Sequence, residues 1–185
     1  MDEWDVLPVE RRETTQKVLR CDFTDTLRLH TRDGLLYYSL FRSTKEGDDI
    51  DAILASEADC ERMAEAASGL IDRLLNSTEG WCIIAASERE NNADLQISEF
   101  VSGLISGIKD ITFYKGAVQS LGDELHLLRP IKEKNVIIFE ALSSTGAALA
   151  DTKDLLQDKE QVMCIVGIQK RNQYGREEKV KETSQ

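Results

Sequence analysis

Glu140, followed after two apolar residues by Ser143, Ser144, Thr145 and Gly146, is a combination able to hold a phosphorylated sugar. The hydroxyls can donate to phosphate oxygens, and glycine gives the backbone freedom to bring its N–H groups close to them. The stretch from Ala147 has the composition of a helix, and a helix start attracts anions through its free N–H groups and its dipole. Glu140 lies too far back to share the phosphate pocket but is well placed to accept hydrogen bonds from sugar hydroxyls. A carboxylate beside a phosphate nest reads as a site for ribose phosphate.

The elements that must position these groups are legible on both sides. Val136, Ile137, Ile138 and Phe139 form an apolar run without alternation, as in a strand buried on both faces of a parallel sheet. The carboxyl ends of such strands are where open α/β sheets bind ligands. Trp81 to Ala86, Ile111 to Lys115 and Val162 to Ile168 are three further short apolar runs, and together the four predict one parallel sheet near 81–86, 111–115, 135–140 and 162–168. Helices are predicted between them, over Ala93 to Ile108 and over Ala147 to Leu156.

Read as a whole, VIIFEALSSTGAAL resembles the PRPP-binding signature of type I phosphoribosyltransferases. That signature has four apolar residues, two acids, two mostly apolar residues, a Thr/Ser-Thr-Gly turn and a small or hydroxyl residue. Glu140 falls on the first acid, Ser144, Thr145 and Gly146 on the phosphate turn, and Leu149 on the apolar anchor of the helix. Ala141 replaces the second acid and Ala148 a frequent threonine. Ser144 stands where some purine-salvage relatives carry an acid, which argues against a standard purine-salvage assignment.

The resemblance extends in order from Trp81 to Arg171 and implies the roles of further residues. The turn after the first core strand, Ser87 to Asn92, occupies the place of the pyrophosphate loop, with Ser87 and Arg89 as its contacts. Lys115, ending the next strand, would also reach pyrophosphate, and 116–134 would be the mobile loop and hairpin that close over PRPP. Ser143 to Ala148 would take the 5′-phosphate, and Glu140 the ribose hydroxyls and, with PRPP, Mg²⁺. Glu140 and Lys115 would then be the catalytic pair. The implied chemistry expels magnesium-bound pyrophosphate from the anomeric carbon through an oxocarbenium-like state, and positioning and charge stabilisation carry it. Gly146→Val is expected to abolish phosphate binding with the fold spared, and Ala141→Asp to restore a second carboxylate at the ribose edge.

Two functions from different classes follow. One is a phosphoribosyltransferase of unknown acceptor that releases pyrophosphate. The other is a catalytically inactive regulatory or structural protein that binds PRPP or a nucleotide on the same fold, a reading supported by the missing acid at Ala141. A homodimer is compatible with either.

Composition narrows the classes further. The chain has 185 residues, a net charge of −11 and a pI near 4.7, which disfavours nonspecific nucleic-acid binding. Cys21, Cys60, Cys82 and Cys164 are scattered without a CxxC or a histidine cluster, so they read as reduced, mostly buried thiols. The acidic, polar start and the lack of any long apolar run predict a cytoplasmic protein that does not enter the membrane.

The expected organisation is a single domain over 1–171, with a hood and helix in 1–80, a PRPP-binding core in 81–171 and a charged tail in 172–185. Within the hood, a short helix is predicted after Pro8. Asp33 and Gly34 between two strand-like runs predict a hairpin outside the parallel core. Asp48, Asp49 and Asp51 read as a solvated loop, without the register of a calcium loop. Ser56 to Asp59 begins a helix that runs to Leu75. His30 reads as a surface strand residue and Tyr174 as a tail residue, stacking on a nucleobase being the alternative for the latter. His126 lies in the closing segment without a visible partner for proton transfer.

Overall fold

The computed structural model describes residues 26–31, 33–42, 57–87, 92–169 and 179–180. The expected helix after Pro8, the loop with Asp48 to Asp51, Arg89, Cys21 and Tyr174 lie outside them. The elements are β1 (Leu27–His30), β2 (Leu36–Arg42), α1 (Glu57–Leu74), β3 (Trp81–Ala85), α2 (Asn92–Lys109) and β4 (Thr112–Phe113). They continue with β5 (Val118–Leu121), β6 (Glu124–Leu127), β7 (Asn135–Ser143), α3 (Ala147–Asp154), β8 (Gln161–Gln169) and β9 (Lys179–Val180).

The four apolar runs do form one parallel sheet. Its order is β4-β3-β7-β8-β2-β1-β9, and every pairing from β4 to β2 is parallel. The fold is therefore α/β, a Rossmann-like parallel sheet flanked by helices. Residues 136–139 at its centre are wholly buried, because β7 is covered on both faces. On one face, α1 and α2 pack Met63, Ala67, Ile71, Val101 and Ile105 over Ile83, Ile137 and Phe139. On the other, Leu149 and Leu156 join Val118 and Leu125 of the β5–β6 hairpin over Ile84, Ile138 and Val166.

The hairpin signalled by Asp33 and Gly34 is present, with Gly34 at φ 87° and Arg28 facing Tyr38 across it. It does not stand outside the parallel core, however. β2 pairs with β8 in parallel and becomes the fifth parallel strand, so β1 alone runs against the rest, with β9 antiparallel to it at the edge. A hairpin signal is local, whereas the choice of β8 as partner is made by a segment more than a hundred residues away. The tail also departs from expectation: Lys179 and Val180 pair with Leu29 and Arg28 as an edge strand, although their composition is that of a solvated segment.

Cys60, Cys82 and Cys164 are buried thiols. Burial pushes their thiols up, to about 11 for Cys60 and about 12 for Cys82 and Cys164. Each folded value exceeds the ordinary 9.0, so the contribution of these thiols to stability is intact below pH 9 and is lost as the pH rises through 11 to 12. A disulfide-exchange reagent at pH 8 should therefore leave all three unreacted in the native protein and reach them only in denaturant. Rapid native labelling of any of the three would show that the sheet is not closed over them.

Candidate functional site

The strand order places a switch point between β3 and β7. From β3 the chain crosses through α2 to β4 on one side, and from β7 it crosses through α3 to β8 on the other. The two carboxyl ends thus diverge, leaving the crevice in which α/β sheets bind ligands. Ser87 leaves β3 there, and Ser144, Thr145 and Gly146 leave β7. At the strand ends the Ala86 N–H donates to the Phe139 carbonyl, at 2.8 Å.

β7 runs on past that bond. It was expected to end at Glu140 but continues to Ser143, paired with β8 through Ser143 opposite Gln169. Ala-Leu-Ser lacks the β-branched residues that signal a strand, and it is β8 that holds it extended. On the side that β3 has vacated, the Ala141 N–H donates to the Ser98 hydroxyl of α2 at 2.9 Å, which satisfies a buried group that the sheet leaves open.

The turn is correspondingly tight. Ser143 is buried and its Oγ accepts from the Gly146 N–H at 2.9 Å, while Thr145 Oγ1 accepts from the Ala147 N–H at 3.3 Å. Gly146, at φ 79° and ψ 9°, is the N-cap of α3. The Ala150 N–H bonds to the Gly146 carbonyl as the helix begins, so the N–H groups of Ala147, Ala148 and Leu149 have no partner within the helix, and that of Ala147 is taken by Thr145 Oγ1. Ser144, Thr145 and Ala147 are exposed, whereas Gly146, Ala148 and Leu149 are buried. The Ala148 side chain belongs to the core of the α3 face, so only its backbone is available to a ligand.

The expected acid and its missing partner face opposite ways. By strand alternation Glu140 lies on the α3 face with Val136 and Ile138, and Ala141 lies on the other with Ile137 and Phe139. Both carboxylate oxygens of Glu140 are enclosed by protein. The Cys164 thiol is pushed up first by burial, an effect that Lys153 opposes and the Glu140 charge reinforces. Ala141 is wholly buried among apolar side chains, so a carboxylate there enters the core and not a ribose edge. Ala141→Asp should consequently cost about 3 kcal/mol of stability at neutral pH. Burial raises a carboxyl pKa, so that penalty should grow as the pH rises above about 4, where the unfolded side chain ionises. Urea midpoints at pH 4 and pH 7 measure it, and a midpoint equal to that of the parent at both would contradict this placement.

Lys115 is exposed, past the end of β4. Two strand spacings, about 10 Å, separate β4 from β7, so Lys115 stands at the same end of the sheet as the turn but not beside it. Arg129 donates from Nη1 to the Lys115 carbonyl at 2.9 Å and lies over the Tyr114 ring, 5.5 Å from its centre. Tyr114 donates to Glu133 Oε1 at 2.5 Å, and that bond, with burial, raises its pKa. The segment expected to close over a ligand forms the β5–β6 hairpin, anchored in the core by Val118, Leu125 and Ile131. His126 on β6 is exposed, with Glu124 at 3.7 Å.

Sequence reasoning missed Tyr37 and Gln169. Both are buried, and they are bonded to each other and to the turn: Tyr37 OH donates to Gln169 Oε1 at 2.9 Å, and Gln169 Nε2 donates to the Ser144 carbonyl at 2.8 Å. The two residues are 132 apart in the chain, and no local pattern signals such a pair.

Among the described residues no group of three or more His, Cys, Asp or Glu is arranged to hold a metal, and no helix is long and apolar enough to cross a membrane.

Fold and turn together define an α/β protein with a Ser-Thr-Gly turn at the switch point of its sheet. No protein-family model matches the chain, and no curated protein matches it. Solved structures similar to it are phosphoribosyltransferases. Adenine phosphoribosyltransferase from Saccharomyces cerevisiae, complexed with an imino-altritol bisphosphate and adenine, superposes with a TM-score of 0.49 at 12% identity, over 85% of this chain and 88% of that one. A hypoxanthine phosphoribosyltransferase from Staphylococcus aureus gives 0.44 at 12% identity, over 69% and 72%. A hypoxanthine-guanine phosphoribosyltransferase from Bacillus anthracis gives 0.39 at 20% identity, over 62% and 79%. Likeness at this level assigns no substrate.

Proposed function

We propose that this chain is a phosphoribosyltransferase-like protein that binds PRPP or another ribose 5-phosphate compound at the turn after β7. The observation that carries this reading is the position of a Ser-Thr-Gly turn at the switch point, with Ser144 and Thr145 exposed directly ahead of the first turn of α3. The 5′-phosphate takes Ser144, Thr145 and the N–H groups of Ala147 and Ala148. Pyrophosphate lies toward the β3 and β4 ends, where Ser87 and Lys115 are its contacts, with Arg89, outside the described residues, assigned the same role.

Glu140 serves the ribose hydroxyls once a ligand draws its carboxylate out of the enclosure described above. One carboxylate suits Mg²⁺ that arrives on the phosphates of PRPP and keeps most of its ligands from them and from water, and Glu140 is the residue that would hold it. The ion would neutralise the leaving pyrophosphate. Reduced, buried thiols are in keeping with a cytoplasmic setting.

Binding without transfer is favoured by one specific observation, the burial of Ala141 in the core, which leaves a single acid at the ribose side of the site. The deciding experiment mixes the purified chain with PRPP, Mg²⁺ and a panel of nucleobases and follows pyrophosphate. Base-dependent release establishes a transferase. Saturable PRPP binding without release establishes the binding protein.

A further inference from the structure

The turn after β7 is also contacted by buried residues of β8 and β2. Gln169, the last residue of β8, donates to the Ser144 carbonyl at 2.8 Å, and its own carbonyl accepts from Tyr37 OH at 2.9 Å. Tyr37 comes from β2, and with Thr31 its ring also closes over Gly146: a β-carbon there would lie 2.7 Å from Thr31 Cγ2 and 3.0 Å from Tyr37 Cε1. The turn is therefore gripped twice by the hairpin, once through the glycine and once through Gln169. An amide in a buried chain of this kind has one workable orientation, because Tyr37 OH needs an acceptor and the Ser144 carbonyl needs a donor.

We infer that Gln169, oriented by Tyr37, is a positioning residue that fixes the turn in its phosphate-receptive form and so links the N-terminal hairpin to phosphate affinity. Neither side chain touches the ligand. Both act by holding the Ser144 peptide, which sets where the exposed hydroxyls and the N–H groups behind them point. This inference rests on the proposed phosphate site for its affinity readout, but the order of the turn can be read without any ligand.

The test uses Tyr37→Phe, Gln169→Met and the double variant in the full chain. Tyr37→Phe removes only a hydroxyl, and Gln169→Met keeps the length of the side chain while removing both hydrogen bonds. In ligand-free protein, amide exchange at Gly146 should speed up about tenfold in Gln169→Met and less in Tyr37→Phe, with 136–139 in β7 exchanging as in the parent. Affinity for ribose 5-phosphate should fall about tenfold in Gln169→Met and about threefold in Tyr37→Phe. The double variant should be no weaker than Gln169→Met alone, because Tyr37 acts through Gln169. General loosening of the fold does not produce that non-additive pattern. Parent-like exchange at Gly146 in both single variants, or losses that multiply in the double variant, would overturn the inference. If the parent itself fails to bind ribose 5-phosphate, the proposed function falls, and the exchange rates still decide whether Gln169 and Tyr37 hold the turn.

Discussion

Gly146→Val is expected to destabilise the protein by about 3 kcal/mol, and loss of phosphate binding will follow from damage to the fold. Two costs combine. Gly146 sits at φ 79°, where a β-branched residue is strained by about 1–3 kcal/mol. A β-carbon would also meet Thr31 Cγ2 at 2.7 Å and Tyr37 Cε1 at 3.0 Å, and overpacking of that kind costs about 1–3 kcal/mol more. For a chain of this size the thermal midpoint should drop by about 6–12 °C. The sequence alone suggests that the fold would survive this change, because nothing near Gly146 in the chain reveals that β2 passes over it. A variant that melts with the parent would show that the hairpin does not close on the turn.

Thr145→Glu should do the reverse, sparing the fold and removing the ligand. Thr145 is exposed and its hydroxyl accepts only a long bond from the Ala147 N–H, so stability should change by less than about 0.5 kcal/mol. A carboxylate at this position is favourable to the start of α3. It nevertheless occupies the direction from which a phosphate must approach and repels it. Loss of one charge-assisted contact, worth about 1.5–3 kcal/mol, predicts a ten- to hundredfold weaker affinity for ribose 5-phosphate. Calorimetric titration beside a thermal melt separates the two quantities. Undiminished affinity in this variant would move the phosphate site away from the turn.

What the sequence makes legible follows the range over which each signal acts. Trp81 to Ala85 and 136–139 announce buried strands because an unbroken apolar run has few alternatives, and α1 and α2 announce themselves by apolar residues at helical spacing. The Ser-Thr-Gly turn is legible because hydroxyls and a glycine between strand and helix form a compact pattern. Long-range pairing is not. The extension of β7 through Ser143 depends on β8, the parallel seat of β2 depends on β8 as well, and the pairing of Val180 with Arg28 joins two ends of the chain. The opposite facing of Glu140 and Ala141 is fixed by strand alternation, which could have been applied to the motif; the enclosure of Glu140 depends on how α3 and β8 pack around it. Tyr37 and Gln169 lacked any local signal.

The most direct test of the central claim is calorimetric titration of ribose 5-phosphate, and of PRPP with Mg²⁺, into the full chain. Both should bind saturably with one site per chain, weakened at least tenfold by Thr145→Glu in protein that still melts as the parent does. Absence of saturable heat for both ligands with the folded parent would contradict it.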